Sequence, residues 1–127
     1  MNRQEEILHQ KISEAWTNTH LGFMPNHWEL QRLICQWNNA ESSKGGAKMV
    51  TMGIKKGVAD WQWMRDNGIS CWIELKTDIG VQSKEQMQFE RLCIALGHEY
   101  HICRSYLDFW NICGIVPPLQ EHELKTK

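Results

Sequence analysis

The segments Gly57-Val58-Ala59-Asp60 and Ile73-Glu74-Leu75-Lys76 decide the fold of this chain. Apolar residues flank both segments, and Asp66-Asn67-Gly68 between them is a turn signal. Apolar runs separated by such a turn are typical of a β-hairpin. The stretch therefore predicts two antiparallel strands that carry two acids and a lysine.

Side chains alternate between the two faces of a strand, so the hairpin has a polar face and an apolar face. In the first strand, Asp60 and Gln62 share one face, and Trp61 and Trp63 share the other. The second strand divides into Trp72, Glu74 and Lys76 on one face and Cys71, Ile73 and Leu75 on the other.

The length of the turn decides which residues meet. Directly opposed residues of a hairpin point to the same face. A two-residue turn at Asn67-Gly68 would oppose Asp60 to Leu75 and separate the two carboxylates. A three-residue loop with Gly68 in the left-handed conformation opposes Asp60 to Glu74 instead. We expect the three-residue loop, because it gathers both carboxylates and the Lys76 ammonium in one patch.

Two carboxylates this close repel each other unless a cation lies between them. Oxygen ligands favour a hard divalent ion, so Asp60 and Glu74 predict a site for Mg²⁺ or Mn²⁺, with the backbone carbonyl of Leu75 as a further ligand. Lys76 would then orient or deprotonate a water, or stabilise charge on a phosphate. The alternative is a surface hairpin whose charges are solvated.

The motifs resemble a family of nucleases. Met52–Asp60, Ile73–Lys76 and Ser83–Gln86 are similar, in order and approximate spacing, to the virus-type replication-repair nuclease (VRR-NUC) branch of the PD-(D/E)XK superfamily. The resemblance covers roughly Glu5 to Ser105, and it departs from the family pattern at Ala59, where proline is usual.

The resemblance implies an α/β fold of the restriction-endonuclease type, a small mixed β-sheet flanked by α-helices. It also implies a metal-dependent DNA endonuclease in phage or bacterial replication or repair, with branched or junction DNA as the candidate substrate. The catalytic residues carried over are Asp60, Glu74, Lys76 and Gln86. A catalytically idle nucleic-acid-binding module of the same fold is the alternative, and a zinc-stabilised interaction domain is a third.

Composition indicates one ordinary globular domain. The chain has 127 residues, of which 42% are hydrophobic and 23% charged. We expect a single domain over residues 1–118 and a loose polar tail over 119–127. The N-terminus does not read as a signal peptide, no apolar run approaches a membrane span, and five cysteines are expected to be reduced thiols. These features predict a cytoplasmic protein without a membrane partner.

The charge balance is not that of a typical nucleic-acid-binding protein, since the net charge is −1 and the pI about 6.6. A local strip between residues 42 and 59 nevertheless holds four lysines and no acid: Lys44, Lys48, Lys55 and Lys56. The strip runs into Asp60, so we predict that it binds DNA phosphates; a solvated face is the alternative.

The first helix is predicted over Arg3 to Trp16, with Leu8, Ile12, Ala15 and Trp16 on one stripe. Glu5 and His9 border this stripe, whereas Glu6 points away. Members of the resembled family often bring a glutamate from the first helix to the metal, so Glu5 is the candidate ligand. A first-turn glutamate that favours the helix N-terminus is the alternative.

A later helix is predicted from about Lys84 to Leu96, with a core stripe of Phe89, Leu92, Cys93 and Leu96. Gln86 lies on this stripe and is predicted to face the site, although Ser83 and Gln86 also form a capping-box pattern. Trp72, on the face of Glu74, is a further candidate to stack on a base or sugar, with a place in the core as the alternative.

The C-terminal third predicts a strand over Glu99 to Cys103 and a last helix capped by Ser105. That helix holds Phe109, Trp110, Ile112 and Cys113, more apolar groups than one small sheet is expected to cover. Together with the resemblance, this crowding predicts a homodimer. Cys93, His98, His101 and Cys103 suggest zinc, but their spacing fits no usual zinc module.

Overall fold

A four-stranded mixed sheet with helices on both faces forms the fold in the computed structural model, which describes residues 2–20, 25–36 and 55–117. The elements are α1 (Arg3–His20), a 3₁₀ helix (Pro25–Arg32), β1 (Leu33–Cys35), β2 (Trp61–Met64), β3 (Ser70–Leu75), α2 (Lys84–Ala95), β4 (Glu99–Cys103) and α3 (Tyr106–Cys113). The strand order is β1-β2-β3-β4; the first three strands are antiparallel, and β4 is parallel to β3. The predicted α/β class, a small mixed sheet flanked by helices, is confirmed.

The hairpin between β2 and β3 has the predicted register. Trp61 pairs with Ile73, which places Asp60 opposite Glu74. The Arg65 N–H donates to the Ile69 carbonyl at 2.8 Å and closes the three-residue loop. Within this loop Gly68 has a φ of +76°, as predicted, and Asn67 has a φ of +64° as well, a conformation that asparagine tolerates better than most residues.

The main core covers the tryptophan face of the hairpin. Trp61, Trp63 and Ile73 are buried there against α1, α3 and the 3₁₀ helix. From α1 the predicted stripe of Leu8, Ile12 and Ala15 is buried, with Trp16 packed against it. The alternation of the two strands therefore decides which face the helices α1 and α3 cover.

A smaller cluster covers the opposite face, the one that carries Glu74. Phe89 and Cys93 of α2 pack there with Ala59, and Trp72 and Tyr100 lie against them. The predicted core stripe of α2 is only half right, because Leu92 and Leu96 are exposed. The described part of the sheet face is narrow, and Phe89 and Cys93 cover it with one edge of the helix.

Two element boundaries differ from prediction. The helix α1 continues to His20, one turn beyond the predicted end at Trp16. Apolar residues predict a strand over Leu33 to Trp37, and the described strand β1 ends at Cys35. The sequence also predicts a short helix over 43–52, which carries Lys44 and Lys48. That helix and the predicted loose tail over 119–127 lie outside the described residues.

The helix α3 does not expose the apolar patch that the sequence predicts. Phe109 and Trp110 are fully buried and Cys113 nearly so, because both the sheet and α1 cover this helix. Ile112 is half-buried, and Leu107 of the same helix is exposed. Most of the residues behind the predicted dimer surface are therefore covered, and the homodimer itself stays a prediction. In the described part of the chain, no helix combines the length and the apolar character that crossing a membrane requires.

Candidate active site

Asp60 stands at the beginning of β2 and is held there by the neighbouring strand. Its Oδ2 accepts a hydrogen bond from the Leu75 N–H at 2.8 Å. The register places Glu74 directly opposite, and the two carboxyl groups lie within hydrogen-bonding reach of each other. The hairpin thus brings together the two acids that the sequence predicts as a pair.

Glu74 is a buried carboxyl group, with only 4% of the residue exposed. Its Oε2 accepts a hydrogen bond from Gln86 at 3.1 Å, while its buried Oε1 has no hydrogen-bond partner among the described residues. Burial, the charge of Asp60 and the closeness of its carboxyl group raise the pKa of Glu74 to about 9, and the Lys76 ammonium opposes this rise. A buried carboxylate of this kind requires a cation to stay ionised at neutral pH.

Gln86 satisfies both of the roles that its sequence pattern suggests. Its Oε1 accepts from the Ser83 N–H at 2.7 Å, and its backbone N–H donates to Ser83 Oγ at 3.1 Å, which completes a capping box at the start of α2. Because the amide oxygen is turned to Ser83, the amide NH₂ group points to Glu74. The cap therefore orients the donor that holds the buried carboxylate.

Gly57 permits the close packing that leads the chain into Asp60. Its φ is +85°, and a β-carbon at this position would lie 2.5 Å from the backbone carbonyl carbon and oxygen of Glu85. Only glycine fits both the conformation and the contact. Ala59, at the position where the resembled family has proline, is fully buried against α2.

Lys76 follows β3 and lies next to the two acids. Its charge lowers the pKa of Glu74, and its backbone N–H donates to the Cys103 carbonyl at 3.0 Å. The backbone at Gly80 approaches its side chain, since a β-carbon there would lie 3.5 Å from Lys76 Cδ. The charge of Lys76 therefore acts on Glu74, as the alternation of the strand predicts.

Glu5 lies near the site but is engaged elsewhere. Its charge contributes to the raised pKa of Glu74, which Glu6 does not do. Its Oε2 accepts from the Asn2 N–H at 3.1 Å, and its own N–H donates to Asn2 Oδ1 at 2.9 Å. Glu5 therefore lies near the site, as a metal ligand would, and also binds at the N-terminus of α1, as a first-turn glutamate does. Its role as a metal ligand stays a prediction.

His9 is a neighbour of the site that sequence reasoning did not select. It stacks on Trp61 with ring centroids 4.8 Å apart, and its Nε2 lies 3.9 Å from Cys35 Sγ. Burial lowers the pKa of His9, and the charge of Asp60 opposes that effect. The sequence could have indicated this place for His9, because His9 lies one helical turn after Glu5 and therefore on the same side of α1.

The lysine strip is described only in part. Lys55 and Lys56 are exposed next to Gly57, and the charge of Lys55 reaches Cys93 on α2. Lys44 and Lys48 lie outside the described residues. Two of the four predicted DNA-binding lysines therefore lie close in the chain to Asp60, and their function stays a prediction.

Trp72 packs within the protein rather than standing open to a base. Its ring meets Phe89 of α2 edge to face, with centroids 5.0 Å apart. The aromatic pair joins α2 to the sheet beside Glu74. The expectation of base stacking by Trp72 has no support in this arrangement.

Another group of metal-ligating side chains lies at the other end of the hairpin. Single ligand atoms of Cys71, Glu99 and His101 lie within 4.8 Å of one another. The Arg65 guanidinium already fills this position, since its Nε donates to Glu99 at 3.0 Å and its Nη2 lies 3.7 Å from Cys71 Sγ. A cation is present without a metal, so we interpret the group as a structural ion-pair cluster.

The four residues that suggested zinc are dispersed. Cys93 packs between α2 and the sheet, and Cys103 belongs to the main core. His98 Nδ1 accepts a hydrogen bond from the Ser70 N–H at 3.0 Å, and His101 Nε2 lies 2.9 Å from Glu99 Oε1. They do not form a common site within the described part of the chain.

Comparisons with known proteins add no assignment to this geometry. No family model, curated protein or solved structure matches the chain. The site must therefore be interpreted from its own residues and from the motif resemblance.

Proposed function

We propose that this protein is a metal-dependent DNA endonuclease that hydrolyses phosphodiester bonds. The observation that carries the proposal is the buried Glu74 carboxyl group, whose Oε1 has no hydrogen-bond partner among the described residues and which faces Asp60. A protein interior tolerates such a pair poorly unless a cation balances it. The motif resemblance to VRR-NUC nucleases and their restriction-endonuclease-like fold supports the same conclusion.

The donor set fits a hard divalent ion. Asp60 and Glu74 supply carboxylate oxygens, and the Leu75 carbonyl lies between Glu74 and Lys76 in the chain. We propose that these three groups would hold Mg²⁺ or Mn²⁺, with Glu5 as a fourth ligand if it releases Asn2. Such an ion, when bound, would lower the pKa of a water and offset charge on the phosphate.

The chain's own residues have separate tasks in this proposal. The Leu75 N–H fixes the orientation of Asp60, and Gln86 fixes that of Glu74. The Lys76 ammonium would stabilise negative charge on the phosphate under attack, or accept a proton from the attacking water. Lys55 and the other lysines of the strip would hold the DNA backbone.

The alternative function is nucleic-acid binding without catalysis. Binding alone does not require a buried carboxyl group paired with a second acid and followed by a lysine, and burial of Glu74 destabilises the empty fold at neutral pH. The presence of this arrangement favours the enzyme. As the resemblance implies, we place the activity in DNA replication or repair in the cytoplasm of a bacterial or phage-infected cell.

A cleavage assay on a panel of labelled DNAs tests the proposal. Four-way, flap, nicked and linear substrates are incubated with Mg²⁺, Mn²⁺ or a chelator. We expect cleavage only with metal, a loss of about 100-fold or more in Asp60→Asn and Glu74→Gln, and loss of cleavage in Lys76→Ala with metal binding retained.

Glu90→Gln is the matched control, because Glu90 is a half-buried carboxylate one turn beyond Gln86 that binds Gln82 rather than the site, and glutamine keeps an oxygen that accepts from Gln82. This control should cut as the wild type does. Cleavage by Glu74→Gln at the wild-type rate, or no cleavage of any DNA with either metal, would rule the proposal out.

A further inference from the structure

The turn that follows Lys76 exposes two apolar side chains beside the site. Ile79 is 91% exposed and Val81 is 80% exposed, and Ile79 is the most exposed large hydrophobic residue in the described part of the chain. A single exposed apolar residue is ordinary on a protein surface. Two within three positions, on one turn next to a candidate catalytic lysine, form a small apolar tip that water solvates poorly.

The backbone of this turn is firmly held. The Arg104 guanidinium donates to the carbonyls of both Thr77 and Gly80, the latter at 2.9 Å. The Gly80 N–H donates back to the Thr77 carbonyl at 3.3 Å, and Gln82 is tied to Glu90 on α2. Such anchoring keeps Ile79 and Val81 projecting into solvent rather than folding onto the protein.

The turn is also tied to the site at both of its ends. It begins at Lys76 and ends at the capping box in which Gln86 holds Glu74. Three residues span at most about 11 Å, so the tip at Ile79 lies within that distance of the Lys76 backbone. A β-carbon added at Gly80 would lie 3.5 Å from Lys76 Cδ, so the turn passes near the side chain of the lysine.

The negative charge on the turn determines which part of the DNA the turn can contact. Asp78 is exposed next to Ile79, and a carboxylate there repels the phosphate backbone. Apolar side chains instead gain from contact with the faces of unstacked bases, as wedge residues do in proteins that kink or open a duplex. In this arrangement the lysines would contact the phosphates, and the apolar tip would contact the bases.

We propose that Ile79 and Val81 form an apolar wedge that packs against unstacked bases next to the cleaved phosphodiester bond. This inference rests on the proposed function. The wedge would provide a structural basis for the preference for branched DNA that the resemblance implies. Opening an intact duplex requires a few kcal/mol per base step, whereas a branch point is open from the start.

Cleavage of flap DNA and of a matched linear duplex is compared in the wild type, in the double variant Ile79→Ser/Val81→Ser and in the control Ile94→Ser. Ile94 is 63% exposed and lies about 12 Å further along α2 than Gln86. We expect the double variant to lose about 10-fold in its ratio of flap to linear cleavage, and the control to keep the wild-type ratio. Thermal unfolding of both variants should match the wild type, since both sites are exposed.

A second measurement does not depend on cleavage. Glu74→Gln protein is mixed with flap DNA that carries 2-aminopurine at the branch, and its fluorescence is compared with that of the same protein carrying the double substitution. We expect the fluorescence change on binding to be lost with the double substitution, because the wedge no longer contacts the base.

The outcomes separate the two proposals. If the wild type cuts DNA but the double variant keeps its flap preference and fluorescence change, the wedge is ruled out and the nuclease remains. An equal loss on flap and linear DNA would also overturn the wedge, since it would mean that the turn only supports the site. If no DNA is cut, the proposed function fails, and the fluorescence measurement alone decides whether the tip contacts bases.

Discussion

Folding and the proposed chemistry favour opposite protonation states of the Glu74 carboxyl group. Its burial against α2 and its closeness to Asp60 favour the protonated form, whereas metal binding requires the ionised form. Only Gln86 among the described residues donates a hydrogen bond to it. The conflict makes two residue-scale predictions possible.

The first prediction concerns the pH dependence of stability without metal. The pKa of Glu74 rises from an ordinary 4.5 to about 9 on folding, so the folded state holds the proton more tightly than the unfolded chain. The stability that this proton contributes is full below pH 4.5. It falls by up to about 1.4 kcal/mol per pH unit until the pH passes 9.

Glu74→Gln removes this titration while keeping the size of the side chain and a carbonyl acceptor for Gln86. Urea unfolding of both proteins in chelator, at pH values from 5 to 9, should show the wild type losing stability relative to the variant as the pH rises. Addition of Mg²⁺ at pH 8 should stabilise the wild type and leave the variant unchanged. Parallel pH profiles in chelator would contradict a raised pKa of Glu74.

The second prediction separates the two roles of Gln86. Ser83→Ala removes the capping acceptor of the Gln86 N–H and should lower stability by about 1 kcal/mol while leaving the rate of DNA cleavage intact. Gln86→Ala also leaves the Glu74 carboxylate without its donor, so we expect a loss of about 10-fold in kcat/KM. If Gln86→Ala kept the wild-type kcat/KM, Gln86 would act only as a helix cap and would have no role in cleavage.

At the scale of elements, the site depends on how closely the segment before β2 packs against α2. The contact of Gly57 with the Glu85 backbone draws the two elements together, and Ala59 and Phe89 fill the space next to it. This packing brings Asp60 and the Gln86 side chain to Glu74 from two different parts of the chain. The geometry of the site therefore depends on a glycine that carries no functional group.

The corresponding prediction compares two glycines of nearly equal φ. Gly97, at the end of α2, has a φ of +83°, and a β-carbon added there would meet no atom within 4 Å, so Gly97→Ala should cost about 1 kcal/mol for the left-handed conformation alone. Gly57→Ala adds a clash with backbone and should cost roughly 3 kcal/mol or more. Urea unfolding measures both, and equal losses would contradict the proposed packing at Gly57.

At the scale of the whole molecule, we propose a homodimer as the working form. Two copies related by a twofold axis would present two centres to the two strands of a DNA substrate. Phe109 and Trp110 of α3 are buried and cannot supply the contact, although Leu107 on the same helix is exposed. The proposal now depends on the proposed function and not on an apolar patch at α3.

Light scattering at micromolar concentration tests this form directly. A dimer would have twice the chain mass of 14.9 kDa, both alone and with flap DNA. A mass near that of a single chain in both conditions would mean that one copy cuts one strand at a time.

Local pattern alone determined the hairpin. The alternation of Trp61 and Trp63 against Asp60 is a short-range signal, and a register error of one residue would have exposed the tryptophans. The stripe of α1 and the capping box at Ser83 are local for the same reason. The pairing of Asp60 with Glu74 needed one further assumption, that the turn is the three-residue loop that gathers the charged groups, and it required no knowledge of the tertiary structure.

Burial was decided only by the tertiary structure, because it depends on which surfaces distant elements bring together. Leu92 and Leu96 lie on the same helical stripe as Phe89 and Cys93, yet they extend beyond the sheet and stay exposed. Phe109 and Trp110 are crowded in sequence, yet the sheet and α1 cover them. Contacts between segments far apart along the chain also decide three features of the site. These are the burial of Glu74, the contact of Gly57 with Glu85 and the exposure of Ile79 beside Lys76.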